Sequence, residues 1–309
     1  MTPQTITIPD YVTPDRLDRV LASILELSRT KLQKMIKEGG VTLNGKVETS
    51  PDQMARPGMI VTIDESVTVR PYTEIPDTPD PTIIFEDDHY LVVNKPSGLI
   101  VHGGPGIYEP TLAEWAVEHD EKIGMVGDRP EIRPGIVHRL DKDVSGVMVI
   151  AKTQQAFKSL KNQFQDHSIT KEYLALTHGM ITSQSGRIAF AIARKPDHSG
   201  LMVARPGSTE GKAAETQFTV VRFVKGFSLV KVQTLTGRTH QIRVHFKAIG
   251  HPLVGDPLYR FRKLHVSKIV APRLFLHAKL LAFDDLKGER QRFEADLPPD
   301  LKQFLDRIG

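Results

Sequence analysis

The run GIVHRLDKDVSGVMVIAKT, residues 135–153, sets His138, Arg139, Asp141, Lys142 and Asp143 directly ahead of a strongly apolar stretch. Apolar residues this continuous read as a strand covered on both faces. A polar loop at the mouth of such a strand is held firmly enough to carry a catalytic carboxylate. The plain alternative is a solvated loop of local ion pairs, and from this segment alone the balance favours it. Spacing does not choose between Asp141 and Asp143, and the two are too close in sequence to form a separated acid/base pair.

On either side, strands are expected at TIIFE, YLVVN, GVMVIAK, KEYLALTHG, AETQFTVVRFV, FSLVKVQTL, RLFLHAKLLAF and QRFEADL, several alternating as in a half-exposed antiparallel sheet. Helices are expected at 111–119, at 153–165 with Thr153 as cap, at 239–249 and at 299–308. Strands in runs rather than in regular βα alternation indicate an α+β fold.

A second cluster, TLTGRTHQIRVHFKAIGHPLVGDPLYR at 234–260, reads as a short helix capped by Thr239, with Ile242, Phe246 and Ile249 inward. Arg238, His240, Arg243 and His245 fall on or near its first turns. A helix N-terminus with guanidinium groups suits an anion, whether RNA phosphate or a carboxylate whose charge must be held. A surface helix with scattered basic residues fits the periodicity equally well. His240 and His245 are five apart, off the same-face spacing of a helical zinc pair, so no metal is expected. In KEYLALTHG, Tyr173 by itself reads as a core residue.

Other chemistries lack their residues. The chain has no cysteine, which removes disulfides, thiolate nucleophiles and cysteine-based zinc sites. No GxSxG, GxxxxGK[ST] or GxGxxG occurs, and GGPG at 103–106 reads as a turn. A net charge of +4 permits an anionic partner without requiring one. With no long apolar span and no signal peptide, a cytoplasmic location and no membrane partner are expected. No exposed seam stands out, so the chain is read as a monomer.

Near the N-terminus, Thr13 and Pro14 suggest the start of a helix bearing Leu17, Val20, Leu21 and Ile24, and Ser28 the start of another bearing Leu32, Met35 and Ile36. Asn44-Gly45 within VTLNGKV is a strong hairpin signal. Arg16, Arg19, Arg29, Lys31, Lys34 and Lys37 concentrate basic charge on the two helices, which suits phosphate but also a solvated helix face. Residues 70–81, rich in proline and aspartate, read as a linker.

Taken together, HRLDKDVSG, the upstream NKPSGL, the downstream KEYLAL, and TGRTHQIRVH followed by GHPLVGDPLYR closely resemble the RluA-type family of bacterial pseudouridine synthases, over about residues 83–260. RLDRVL, SRTKLQKMI and VTLNGK look like an S4 RNA-binding domain. The resemblance implies an α+β catalytic domain (82–309) on a mixed, mostly antiparallel sheet with flanking helices, after a small α-L S4 domain (13–69) and the linker (70–81). It also implies isomerisation of uridine to pseudouridine, an RNA partner (large-subunit ribosomal RNA first, transfer RNA second) and no cofactor.

By the same resemblance Asp141, not Asp143, is the nucleophile. Arg139 fills the place of the flipped base, Tyr173 is the active-site tyrosine, and Arg243 pairs with the aspartate; His138, Arg238 and His240 join the N-terminal basic residues in binding RNA. Val144 and Gly103 depart from the family's usual threonine and proline without removing a catalytic group. Two other readings compete: an RNA-binding protein without activity, and a nucleosidase or glycosidase using the same carboxylate chemistry, which would release free uracil.

Overall fold

A computed structural model describes residues 3–64 except 26, 28 and 38, then 79–103, 109–197, 200–208, 210–260 and 270–309. The chain divides into two compact units, Met1–Pro76 and Asp77–Gly309. Most of the expected linker, the GGPG turn beyond Gly103, and the Ser28 cap lie outside the described residues.

In the first unit, β1 (Gln4–Thr7), β2 (Asp15–Arg16), α1 (Leu17–Ile24), α2 (Arg29–Lys37), β3 (Val41–Leu43), β4 (Lys46–Val47), β5 (Met54–Ala55) and β6 (Ile60–Ile63) surround a small core. Leu17, Val20 and Leu21 of α1 and Leu32 and Ile36 of α2 are buried there with Val41 and Val61. Asn44 (φ 51°) and Gly45 (φ 79°) form the β3–β4 turn, where both central residues need positive φ. The expected start at Thr13 and Pro14 is corrected: α1 begins at Leu17, because the backbone of Asp15 and Arg16 is spent pairing with β5.

The second unit contains β7 (Thr82–Glu86), β8 (Tyr90–Lys95), α3 (Leu112–His119), a 3-10 turn (Glu121–Met125), β9 (Ser145–Ala151), α4 (Gln154–Gln165), β10 (Thr170–His178), β11 (Ser185–Ile188), β12 (Ala191–Arg194), β13 (Met202–Arg205), β14 (Thr216–Val224), β15 (Phe227–Thr234), α5 (Gln241–Ala248), β16 (Leu276–Asp284), β17 (Arg290–Glu294) and α6 (Pro299–Ile308). One sheet runs β11-β14-β15-β10-β16-β9-β8-β7, with β17 also on β16. Among the described residues every strand pairing of this sheet is antiparallel except β9 with β16, so the sheet is mixed and the fold is α+β. All eight expected strands are present. The sequence reading missed β11 and the separate β12–β13 hairpin.

Side chains alternate across this sheet. Leu91, Val93, Met148 and Ile150 point to the face covered by α3 and α5, whereas Val92, Val147 and Val149 point to α4. Leu176 and Leu229 meet α6 on that second side. β9 is buried along its whole length, and each of its large aliphatic side chains contributes about 1.5–3 kcal/mol by leaving water. The loop before it is therefore anchored to a strand that is buried throughout.

Candidate active site

The loop ending in β9 carries Asp141, and three contacts from the β8 end fix its backbone. Lys95 Nζ donates to the Lys142 carbonyl at 3.1 Å, and to those of Pro96 and Leu99, each at 2.8 Å. Gly98 N–H donates to the same Lys142 carbonyl at 2.8 Å, and Ser97 Oγ to that of Asp143 at 2.8 Å. Lys95 has no solvent exposure; burial pulls its ammonium down to about 7 against the opposing charges of Asp141 and Asp143.

Asp141, with 21% of its side chain exposed, opens into a cleft whose hollow measures about 110 Å³. Arg139, Tyr173, Thr234, Arg238, His240 and Arg243 are among its walls. Arg243, 2% exposed, reaches Asp141 Oδ2 with Nη1 at 3.3 Å. Behind it, Asp256 receives Nε and Nη2 in a fork, both at 2.8 Å. Burial by itself would favour neutral forms of both, but their mutual hydrogen bonds and charges prevail: Arg243 is raised and Asp256 lowered. Asp256 in turn accepts the N–H groups of Leu258 and Tyr259. A buried guanidinium held this way is fixed in direction as well as in charge.

Tyr173 enters the cleft at a register shift between β10 and β16, falling between Glu172 and Tyr173; such bulges re-aim side chains. Burial pushes its hydroxyl up to about 12, against a hydrogen bond with Thr234 and aided by the charge of Asp141. It is therefore a protonated phenol at neutral pH.

A model of the RNA pseudouridylate synthase family matches residues 89–248, and an S4 domain model matches residues 15–61. The chain belongs to the RNA pseudouridylate synthase family. It is 39% identical to an uncharacterised RNA pseudouridine synthase of Bacillus subtilis, across 98% of this chain and 97% of that one. It is 37% identical to the ribosomal large subunit pseudouridine synthase D of Zymomonas mobilis, across 100% and 98%. Among solved structures it resembles human RNA pseudouridylate synthase domain containing 1, with a TM-score of 0.58 and 26% identity over 75% of this chain and 90% of that one. The chain is thus an isomerase that acts on RNA, as the motif resemblance implied.

Within this family site, the structure brings together four residues singled out from sequence: Asp141, Tyr173, Arg243 and the exposed Arg139, whose Nη1 lies 3.4 Å from His102 Nε2. Arg238, also exposed, rims the cleft and donates from Nε to the Ala213 carbonyl. Asp143 does not line the cleft, so geometry separates the two aspartates that spacing could not. His138 is a correction to the expected RNA-binding set. It turns inward, accepts the Val149 N–H at Nε2 and stacks on Phe164 at 4.7 Å, and burial pulls it down to about 3. His245 is likewise structural, bonded to Thr216 and the Phe190 carbonyl. The expected Thr239 cap is also corrected: His240 occupies the cap position of α5 in the left-handed region, without a side-chain cap.

In the S4 unit, Arg16 Nε and Arg29 Nε both donate to the buried Asp18, while Arg19 meets Asp15 at 3.5 Å and Lys37 is exposed. The side chains of Lys31 and Lys34 lie outside the described residues. Sequence reading missed Asp256, Lys95 and Gln241. Gln241 accepts from Thr236 Oγ1 and Arg238 N–H and donates to the Glu215 carbonyl and Thr216, which locks the 234–240 loop. The one available signal was that a buried arginine in HQIR needs a second carboxylate, and the nearby GDP supplies one.

Proposed function

We propose that this enzyme converts uridines of large-subunit ribosomal RNA to pseudouridine in the cytoplasm, as a monomer, with Asp141 as nucleophile. The observation that carries the assignment is the Asp141 carboxylate in an open cleft, 3.3 Å from a guanidinium that is itself anchored by Asp256. The name of the Zymomonas mobilis relative supports the substrate; transfer RNA is the second reading.

The reaction breaks the bond from the sugar to N1 and makes one to C5. A proton leaves C5 and one is taken up at N1, so composition and oxidation state are unchanged and no redox cofactor is called for. A carboxylate can hold the nucleotide covalently while the base turns, dividing one difficult step into two. Attack at the sugar C1′, attack on the base, and a glycal route all use the same carboxylate.

Arg243 compensates the charge of Asp141 once bound RNA excludes water, since an unpaired buried charge is costly. Arg139, at the rim, takes the space left by the flipped base and offsets an unstacking cost of a few kcal/mol. Tyr173, protonated in its buried position, suits stacking under the ring better than accepting the C5 proton. The arginines gathered by Asp18 in the S4 unit hold RNA phosphates.

The test compares wild type, Asp141→Asn and Arg243→Lys on the same RNA, together with pseudouridine maps of total RNA from a deletion strain carrying each gene. Both variants should lose at least about a thousandfold in rate, and large-subunit uridines should stay unmodified. Equal rates for Asp141→Asn and wild type would end the assignment. Loss confined to transfer RNA would move the substrate to the second reading.

A further inference from the structure

The two oxygens of the Asp141 carboxylate have different surroundings. Oδ2 takes the bond from Arg243 Nη1 and lies 3.8 Å from His240 Nε2. Among the described residues no hydrogen bond reaches Oδ1.

Two features aim the His240 ring at Oδ2, its backbone conformation and its contact with Tyr259. The backbone at His240 has φ 56° and ψ 21°, a region that non-glycine residues rarely adopt and that gathers at functional positions. The ring meets Tyr259 edge-on, with centroids 5.4 Å apart. Nδ1 lies 2.7 Å from the Tyr259 hydroxyl, which also accepts the Met202 N–H at 2.9 Å. Tyr259 is buried, and among the described residues His240 Nδ1 is the one acceptor within reach of its single proton, Met202 arriving as a donor, so that proton goes to Nδ1. The neutral imidazole then carries its own hydrogen on Nε2, the nitrogen facing Asp141. The other tautomer would set a lone pair against the carboxylate.

We propose that His240 is a positioning residue for the nucleophile: with Arg243 it holds Oδ2 through Nε2–H and leaves Oδ1 as the attacking oxygen. The 3.8 Å separation closes to a hydrogen bond when a bound nucleotide excludes water, as site geometries commonly tighten on substrate binding. Tyr259 sets the tautomer, and through Met202 it ties the β12–β13 hairpin to the reacting carboxylate. This assignment rests on Asp141 being the nucleophile, and it replaces the reading of His240 as a phosphate contact.

The experiment measures single-turnover rate at saturating RNA and, separately, RNA affinity, for wild type, His240→Leu, His240→Gln, Tyr259→Phe, the His240→Leu/Tyr259→Phe pair and Asp141→Asn. His240→Leu should slow the chemical step about tenfold to a hundredfold, in line with loss of one preorganised donor, with RNA affinity within about twofold of wild type. His240→Gln, whose amide N–H reaches about as far as Nε2–H, should recover most of the rate. Tyr259→Phe should slow it less, and add nothing in the His240→Leu background. A wild-type rate in His240→Leu, a loss of affinity without loss of rate, or equal defects in the Leu and Gln variants would each overturn the proposal. Should His240→Leu fail to fold, Tyr259→Phe decides, and an unchanged rate there overturns it. An active Asp141→Asn would remove the nucleophile assignment itself, whereas an inactive one beside a fully active His240→Leu removes only the role of His240.

Discussion

Arg243 shows what a buried charge beside the cleft requires: a partner of opposite sign on each side of it. Breaking one partner of such a pair typically costs about 3–5 kcal/mol, since the other is left uncompensated. Asp256 therefore matters to Asp141 without touching it. That dependence could not be read from spacing, because an acid in a glycine-proline turn looks like turn chemistry. Arg243 and Asp141, by contrast, were picked out by the resemblance of HQIR and HRLD to family motifs, where local pattern alone favoured or allowed a plain surface reading. Buried histidines are the converse case. His277 donates from Nε2 to the Ala295 carbonyl and accepts from Ser145 Oγ at Nδ1, and burial holds it down to about 4. His138 is held at about 3. Above pH 6.5 both are neutral whether the chain is folded or not, so their contribution is fully present. As pH falls towards 4 the unfolded chain takes up protons that the folded one refuses, and stability drops. The denaturant midpoint should therefore be lower at pH 4.5 than at pH 7.5, with His277 accounting for on the order of 1–3 kcal/mol. In His277→Gln the difference between the two pH values should shrink; an unchanged difference would show that this histidine titrates normally in the fold.

The β9–β16 seam joins the two halves of the sheet and is its only parallel pairing among the described residues, with two residue pairs, Ser145–His277 and Gly146–Ala278. Gly146 has φ 125°, and a Cβ there would fall 2.2 Å from the Ala278 carbonyl oxygen. Gly146→Ala must then push β16 away from β9, the strand that follows the Asp141 loop. We expect a loss of about 2–4 kcal/mol, from overpacking and a disallowed φ together, measured by denaturant unfolding; a variant of wild-type stability would mean that the seam can open without penalty. β9 was legible because its apolar run is continuous, as in a strand covered on both faces. The β12–β13 hairpin was not, since its alternation covers only four residues in each strand. The start of α5 was misread for another reason: Thr239 has the preferred capping side chain, yet the chain turns through a left-handed histidine instead. Local propensity there yields to the aim of a ring.

Each of the two units buries its own core, and the excess of positive charge is modest at +4. Affinity for RNA therefore depends on where cations sit more than on their number. In the S4 unit the buried Asp18 gathers Arg16, Arg29 and Gln33, its carboxyl held well below the usual range by those bonds despite burial. The basic residues could be counted from sequence; their convergence on a single acid could not, because it spans two helices. If Arg16 and Arg29 meet phosphates, the alanine variant of each should weaken binding to every RNA alike. Each should also reduce the slope of log affinity against log salt by about 0.7–0.9, read from titrations at several ionic strengths; an unchanged slope would exclude that arginine from phosphate contact. Lys95 grips the carbonyl of Lys142 across 47 positions of sequence, so a chain without cysteine still possesses a clasp at the two ends of a long excursion. The clasp closes on the residue next to Asp141, so that carboxylate is registered to the end of β8 whatever path the chain takes on the far side of α3.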